Sequence, residues 1–253
     1  LLTAGNVAAA LPLLQEAAAL AERAGDDPGT AAAVNALGLA HLAAHDAPSA
    51  AAVLRRALAF APRTVRPAEH AMVKANLALA QEQAGDAARA RLAARQALAV
   101  SSAAAPVRAQ AQQVLSRLPG DAADDLLAVL DSEPPDEWIG VLREELLRAA
   151  ELPGDERCVL VRGFLDGVLA RPERAHALAQ SLLSVVLELP SRPYDVLVTA
   201  IVEASRQRAQ EDVDRLQAVV GSAMARFAIP QWQRLAASLN AAATAAGRPA
   251  TWR

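Results

Sequence analysis

His41 and His45 lie four residues apart, a spacing that puts two imidazoles on one face of a helix and within reach of one metal ion. A site also needs a third ligand. No HExxH motif is present, and the only other histidines are His70 and His176. His45 therefore reads as a helix-corner residue in a position glycine usually fills, and His41 as part of an interhelix surface. Cys158, in ERCVLVRGF, sits in an apolar helical pattern, where a thiol is normally inert. A catalytic role would need a base brought from elsewhere, with His176 the nearest. Glu144-Glu145 and Asp212 with Asp214 carry no signal that two carboxylates face each other. The chain holds no Gly-rich phosphate loop, no GxSxG elbow and no CxxC pair. The expectation is a non-enzyme with no catalytic residue, no metal and no cofactor. Gly163 and Gly167 form GxxxG, but Arg162 and Asp166 exclude a bilayer setting, so the pair predicts close packing on a neighbouring helix.

Composition says what must hold such residues in place. Hydrophobic residues make up 53% of the 253, yet aromatics only 3%, so the apolar count is largely alanine. Alanine loses almost no side-chain freedom in a helix and lets helices approach closely. Long β-branched runs are missing, which predicts an all-α chain. Residues 1–119 carry 11 basic and 8 acidic side chains; residues 120–253 carry 14 and 20. Lys74 is the sole lysine. Arg55, Arg56, Arg89, Arg91 and Arg95 would fall on outer faces, but without interleaved aromatics they do not predict nucleic-acid binding. One cysteine excludes an internal disulfide and favours a reducing, cytoplasmic compartment. No apolar run reaches the roughly 20 residues that span a bilayer, so no membrane insertion is expected.

Along the chain, helical stretches alternate with Gly, Asp and Pro corners. The organising stretch is Ala31 to Pro62, two amphipathic helices around His45-Asp46-Ala47-Pro48. Asp46 is a plausible cap and Pro48 suits a first turn. Pro67 to Val100 repeats the plan around Gly85-Asp86, and residues 5–24 supply an earlier helix with Pro12 inside it. Gly5-Asn6, His45-Asp46 and Gly85-Asp86 are spaced by 40. So are Ala10, Ala50 and Ala90, and Ala17, Ala57 and Ala97. Such a period predicts stacked units that bury their apolar faces on one another. A weaker copy follows: Pro106 to Leu118 reads as a helix, Leu118-Pro119-Gly120-Asp121 as a corner, and Ala122 to Leu130 as a short partner helix. From Asp121 to Glu137 there are seven acidic residues and no basic one, which reads as a solvated linker or an acidic docking patch. The expected division is 1–119 repeats, 120–136 an acidic irregular linker, 137–249 divergent helical pairs with a cap, and 250–253 a tail. Trp252, in that tail, could anchor an intermolecular contact.

Leu37, Gly38, Ala50, Ala57 and Pro62 carry a resemblance to the tetratricopeptide repeat family: a small residue in the first helix, two alanines in the second and a closing proline. Leu77, Ala78, Ala90 and Ala97 repeat it, and Gly85-Asp86 fits the usual corner. Gly163, Ala170, Arg171, Ala175 and Leu182 follow the spacing more loosely. The 40-residue period resembles the long-helix relatives in kinesin light chains and in the sensor domains of bacterial transcriptional regulators. The resemblance implies a right-handed α/α superhelix whose inner groove binds protein or peptide, or supports self-association as a homodimer. The family's carboxylate clamp is not matched, because Leu39, Leu79, Ala43 and Gln83 stand at its inner positions beside Asn35 and Asn76. The expected groove, Asn35, Leu39, Leu42, Met72, Asn76, Leu79 and Gln83, is mostly apolar and suits an amphipathic helix or an extended apolar segment. A scaffold or adaptor is the first expectation. A sensory or regulatory module of a larger, bacterial-type regulator is the second, and an all-helical enzyme the third.

Overall fold

The computed structural model describes residues 6–206, 208–249 and 251–252. Gly5, which opens the first 40-residue alignment, lies outside the described residues. So do Gln207, Ala250 and Arg253. Among the described residues the secondary structure is helical throughout: α1 (Val7–Ala24), α2 (Asp27–Ala43), α3 (Ala47–Phe60), α4 (Pro67–Gln83), α5 (Ala87–Leu98), α6 (Ala105–Arg117), α7 (Ala122–Ser132), α8 (Trp138–Glu151), α9 (Gly154–Leu169), α10 (Pro172–Glu188), α11 (Ser191–Ala204), α12 (Gln210–Met224) and α13 (Ile229–Ala245). They form two compact units, Leu1–Gly120 and Asp121–Arg253.

The caps explain the 40-residue spacing. Asn6, Asp46 and Asp86 each accept a hydrogen bond from the backbone N–H three residues on, starting α1, α3 and α5. That satisfies one of the orphan donors of each helix start. Asp26 does the same for Gly29, so α2 begins at Asp27, earlier than the turn-like Gly25-to-Gly29 stretch suggests. Pro28 sits in that first turn, where its missing N–H is not needed. α11 likewise starts at Ser191, ahead of Pro193. Pro12 lies inside α1, which is assigned as one continuous helix.

Four helix ends, those of α1, α2, α4 and α13, follow one device. Gly25, Gly85 and Gly247 take φ of 67°, 80° and 71°, and the next residue's N–H returns to a carbonyl five residues back, as in Asp86 to Gln81. His45 stands in the same place with φ 59°, the one non-glycine residue at positive φ among those described. A Cβ in that conformation costs roughly 1–2 kcal/mol, partly offset in the substituted protein by glycine's greater unfolded-state entropy. His45→Gly is therefore expected to stabilise unit 1 by about 1 kcal/mol. Thermal unfolding followed by circular dichroism checks it, and an unchanged or lower midpoint would count against the strain.

Unit 1 packs each helix on its neighbours in sequence, and α4 also on α2 and α6. Its core is alanine: Ala50, Ala57, Ala78, Ala90 and Ala97 are fully buried. Gly38 shows why small residues are needed, since a Cβ there would lie 2.5 Å from Cγ of the fully buried Leu54. Ala10 is buried like Ala50 and Ala90, but Ala17 is exposed while Ala57 and Ala97 are not. The neighbouring Ala18 takes the core position on α1.

Unit 2 is built differently. Its densest contacts join helices two apart in sequence: α7 with α9, α8 with α10, α9 with α11, α10 with α12 and α11 with α13. Larger side chains, Leu130, Trp138, Leu178 and Leu239 among them, fill its interior. Gly163 and Gly167 of α9 meet Ala123 and Leu127 of α7, which is the close helix packing the GxxxG spacing predicted.

The acidic stretch expected as an irregular linker contains α7. Asp121 caps it by accepting from the N–H groups of Ala123 and Asp124, and acidic side chains in a first turn suit the positive end of the helix dipole. Asp125, Leu126, Leu127 and Leu130 are buried. Asp131 holds Arg171 at 2.7 Å and Arg174 at 2.9 Å. The Arg171 hydrogen bonds keep its carboxyl below the usual carboxylate range, against the opposing effect of burial, with the Arg171 charge and then Arg174 adding to the lowering. Much of this charge therefore has structural work within unit 2.

Candidate functional site

The expected groove residues fall on two faces. Asn35, Leu39 and Leu42 recur at i, i+4 and i+7 on α2; Met72, Asn76, Leu79 and Gln83 recur at i, i+4, i+7 and i+11 on α4. Both spacings keep side chains on one helical face. Leu39 and Gln83 are exposed, and Met72 and Leu79 half-buried. Leu42 is different: it is 7% exposed and belongs to the unit 1 core, so it cannot line an open groove.

Asn35 and Asn76 are also buried, and the structure joins them. Nδ2 of Asn76 donates to Oδ1 of Asn35 at 2.9 Å. Nε2 of Gln110, on α6, donates to Oδ1 of Asn76 at 3.1 Å and to the carbonyl of Ala75 at 3.0 Å. The result is a rail of three amides across α2, α4 and α6. Sequence reading missed Gln110. The available signal was a third side-chain amide 34 residues after Asn76, but the repeat spacing of about 40 pointed elsewhere. Buried amides must find partners, so this rail fixes the relative position of three helices.

Lys74 is not a clamp lysine. It is buried, and its Nζ donates to Oε1 of Gln96 on α5 at 2.8 Å. His70 is buried too, with Nδ1 2.9 Å from the carbonyl of Ala61. His41 places Nδ1 3.3 Å from Oδ2 of Asp46, while His45 forms the exposed corner. The Ser49 hydroxyl and N–H hold the Asp46 carboxyl below its ordinary value, helped by His41. Among the described residues no group of three His, Cys, Asp or Glu is placed to hold a metal. Cys158 is half-buried and free. Glu145 is fully buried and accepts from Nε of Arg148 at 2.9 Å within α8. Trp252, far from being a free anchor, is 6% exposed and packs in the unit 2 core. Among the described residues no helix is long and apolar enough to cross a membrane.

Stacked helix pairs with small residues at the crossings, Asx-capped corners and a polar rail along alternate helices define an α-helical repeat protein. The sequence model of the tetratricopeptide repeat family matches residues 1–63, which reach from before α1 to the end of α3 and just beyond. Residues 1–63 are therefore similar to tetratricopeptide repeats. Neither a curated protein nor a solved structure matches it. Repeats of this family generally mediate protein–protein interaction.

Proposed function

We propose that unit 1 is a non-enzymatic scaffold that binds a protein partner along the shared face of α2 and α4, taking an amphipathic helix or an extended apolar segment. The observation that supports this is the exposure of Leu39, 36% accessible on the same face as Asn35, with Met72 and Leu79 half-buried on the matching face of α4. Such residues suit side-chain anchors, while the amide rail behind them holds the helices at fixed spacing. The clamp for a free peptide carboxylate has no support, because Asn35 and Asn76 bond each other and Lys74 is buried against α5. The 40-residue spacing of the caps Asn6, Asp46 and Asp86 supports a long-period variant of the repeat. The free thiol of Cys158 fits a cytoplasmic setting.

The test is selection of binding peptides from a displayed library on the intact chain, followed by titration against Leu39→Glu and Leu79→Glu. Loss of central apolar anchors is expected to weaken the selected peptides by roughly thirtyfold or more. Circular dichroism would establish that the variants remain helical. Undiminished affinity in both folded variants would remove this face from the proposal.

A further inference from the structure

Unit 2 holds a cleft of about 210 Å³ lined by the end of α11, by α12 and by the segment after α13. Two of its lining groups carry opposite charge, Arg248 and Asp214. We infer that this cleft is a binding site for a small zwitterion of the free amino-acid type, its carboxylate on Arg248 and its ammonium on Asp214.

The cleft is constructed rather than incidental. Arg248 is oriented by Ser205: one guanidinium nitrogen, Nη1, donates to the carbonyl and to Oγ of Ser205, both at 3.2 Å. Ser205 itself is buried. Thr251 and Trp252, on one side, are held by three hydrogen bonds. The N–H of Trp252 donates to Oδ1 of Asn240 at 3.0 Å, Nδ2 of Asn240 donates back to the Trp252 carbonyl at 2.9 Å, and Nε2 of Gln217 donates to Oγ1 of Thr251 at 2.8 Å.

The remaining valences select the ligand. Neither Arg248 nor Asp214 makes an ion pair with a described residue. Nε and Nη2 of Arg248 remain for a planar anion, the edge that suits a carboxylate. Asp214 accepts from Nε2 of Gln210 at 2.7 Å through Oδ1, leaving Oδ2 for a cation. The neutral polar groups are largely spent on one another, Gln217 on Thr251 and Gln210 on Asp214, which disfavours a polyol. A simple anion such as phosphate would meet the Asp214 charge, and a simple cation that of Arg248. A ligand carrying both charges satisfies both groups, and Val202, Val213 and Trp252 supply apolar wall for its side chain.

The experiment is calorimetric titration of the intact chain with each free L-amino acid, with N-acetylated and C-amidated forms of any that binds, and with inorganic phosphate. At least one amino acid is expected to bind, with affinity lost on blocking either end. Arg248→Gln and Asp214→Asn should each weaken binding roughly tenfold or more, the ordinary worth of a charged hydrogen bond. Fluorescence of the tryptophans would establish that both variants keep the unit 2 fold. The proposal is overturned if no amino acid binds at millimolar concentration, or if binding is indifferent to the blocking groups or to both folded variants. It is equally overturned if phosphate binds as well as any amino acid and Asp214→Asn does not weaken it. Peptide capture by unit 1 reads a different unit, so its failure leaves this result interpretable.

Discussion

Alanine at both Gly163 and Gly167 will destabilise unit 2 by about 3 kcal/mol, the sum of two overpacked contacts at roughly 1–3 kcal/mol each less the gain in helix propensity. A Cβ at Gly163 would lie 2.5 Å from the Cβ of Ala123, and a methyl cannot rotate out of the way. A Cβ at Gly167 would lie 2.8 Å from Cδ2 of Leu127 and 3.0 Å from its Cγ. Leu127 is 5% exposed and has little room to yield. The relief must come from α9 moving off α7, which opens the core on both sides. Trp138, Trp232 and Trp252 are the three tryptophans and all belong to unit 2, so a urea titration followed by tryptophan fluorescence reads this unit alone. Leu127→Ala placed on Gly167→Ala should recover part of the loss. An unchanged midpoint in the double-alanine chain would mean that the helices are not in close contact here.

Arg148→Met will cost unit 2 about 3–5 kcal/mol, the usual effect of stripping one partner from a buried ion pair. Glu145 is fully buried and Arg148 is 6% exposed. The surroundings of Glu145 are apolar, with Leu126, Leu142, Phe164 and Leu197 lining the same small cavity. Removing the guanidinium takes away the charged hydrogen bonds that offset the water this buried carboxylate gave up on folding. Changing both residues, Glu145→Leu with Arg148→Met, should restore much of the stability, because a packed apolar pair replaces the ions without leaving a charge behind. The same fluorescence titration separates the cases. If the single and double variants unfold at the same urea concentration, the charge remaining at Glu145 is not the source of the loss.

These two sites show where legibility stopped. The GxxxG spacing announced a close contact, and its partner proved to be α7, part of a stretch that composition alone marks as a linker. Seven acidic residues without a base suggest solvent. Yet Asp121 caps a helix, Asp125 is buried and Asp131 binds two arginines. Net charge does not reveal that an arginine 40 residues away will return to the same corner.

The sequence by itself determined the helices and their repeat. Alanine abundance, Asx caps and positive-φ corners act within a few residues of each other, so they are written locally. The 40-residue spacing of Asn6, Asp46 and Asp86 and the family signature around Gly38 follow from the same local chemistry. Tertiary structure decided which polar groups are spent. Asn35 and Asn76 looked like groove residues but bond each other, and Gln110 completes their rail. Leu42 entered the core, Lys74 turned to Gln96, and Trp252 folded back onto Asn240. Each outcome depends on which helix lies opposite, a relation set by packing over tens of residues that no local pattern encodes.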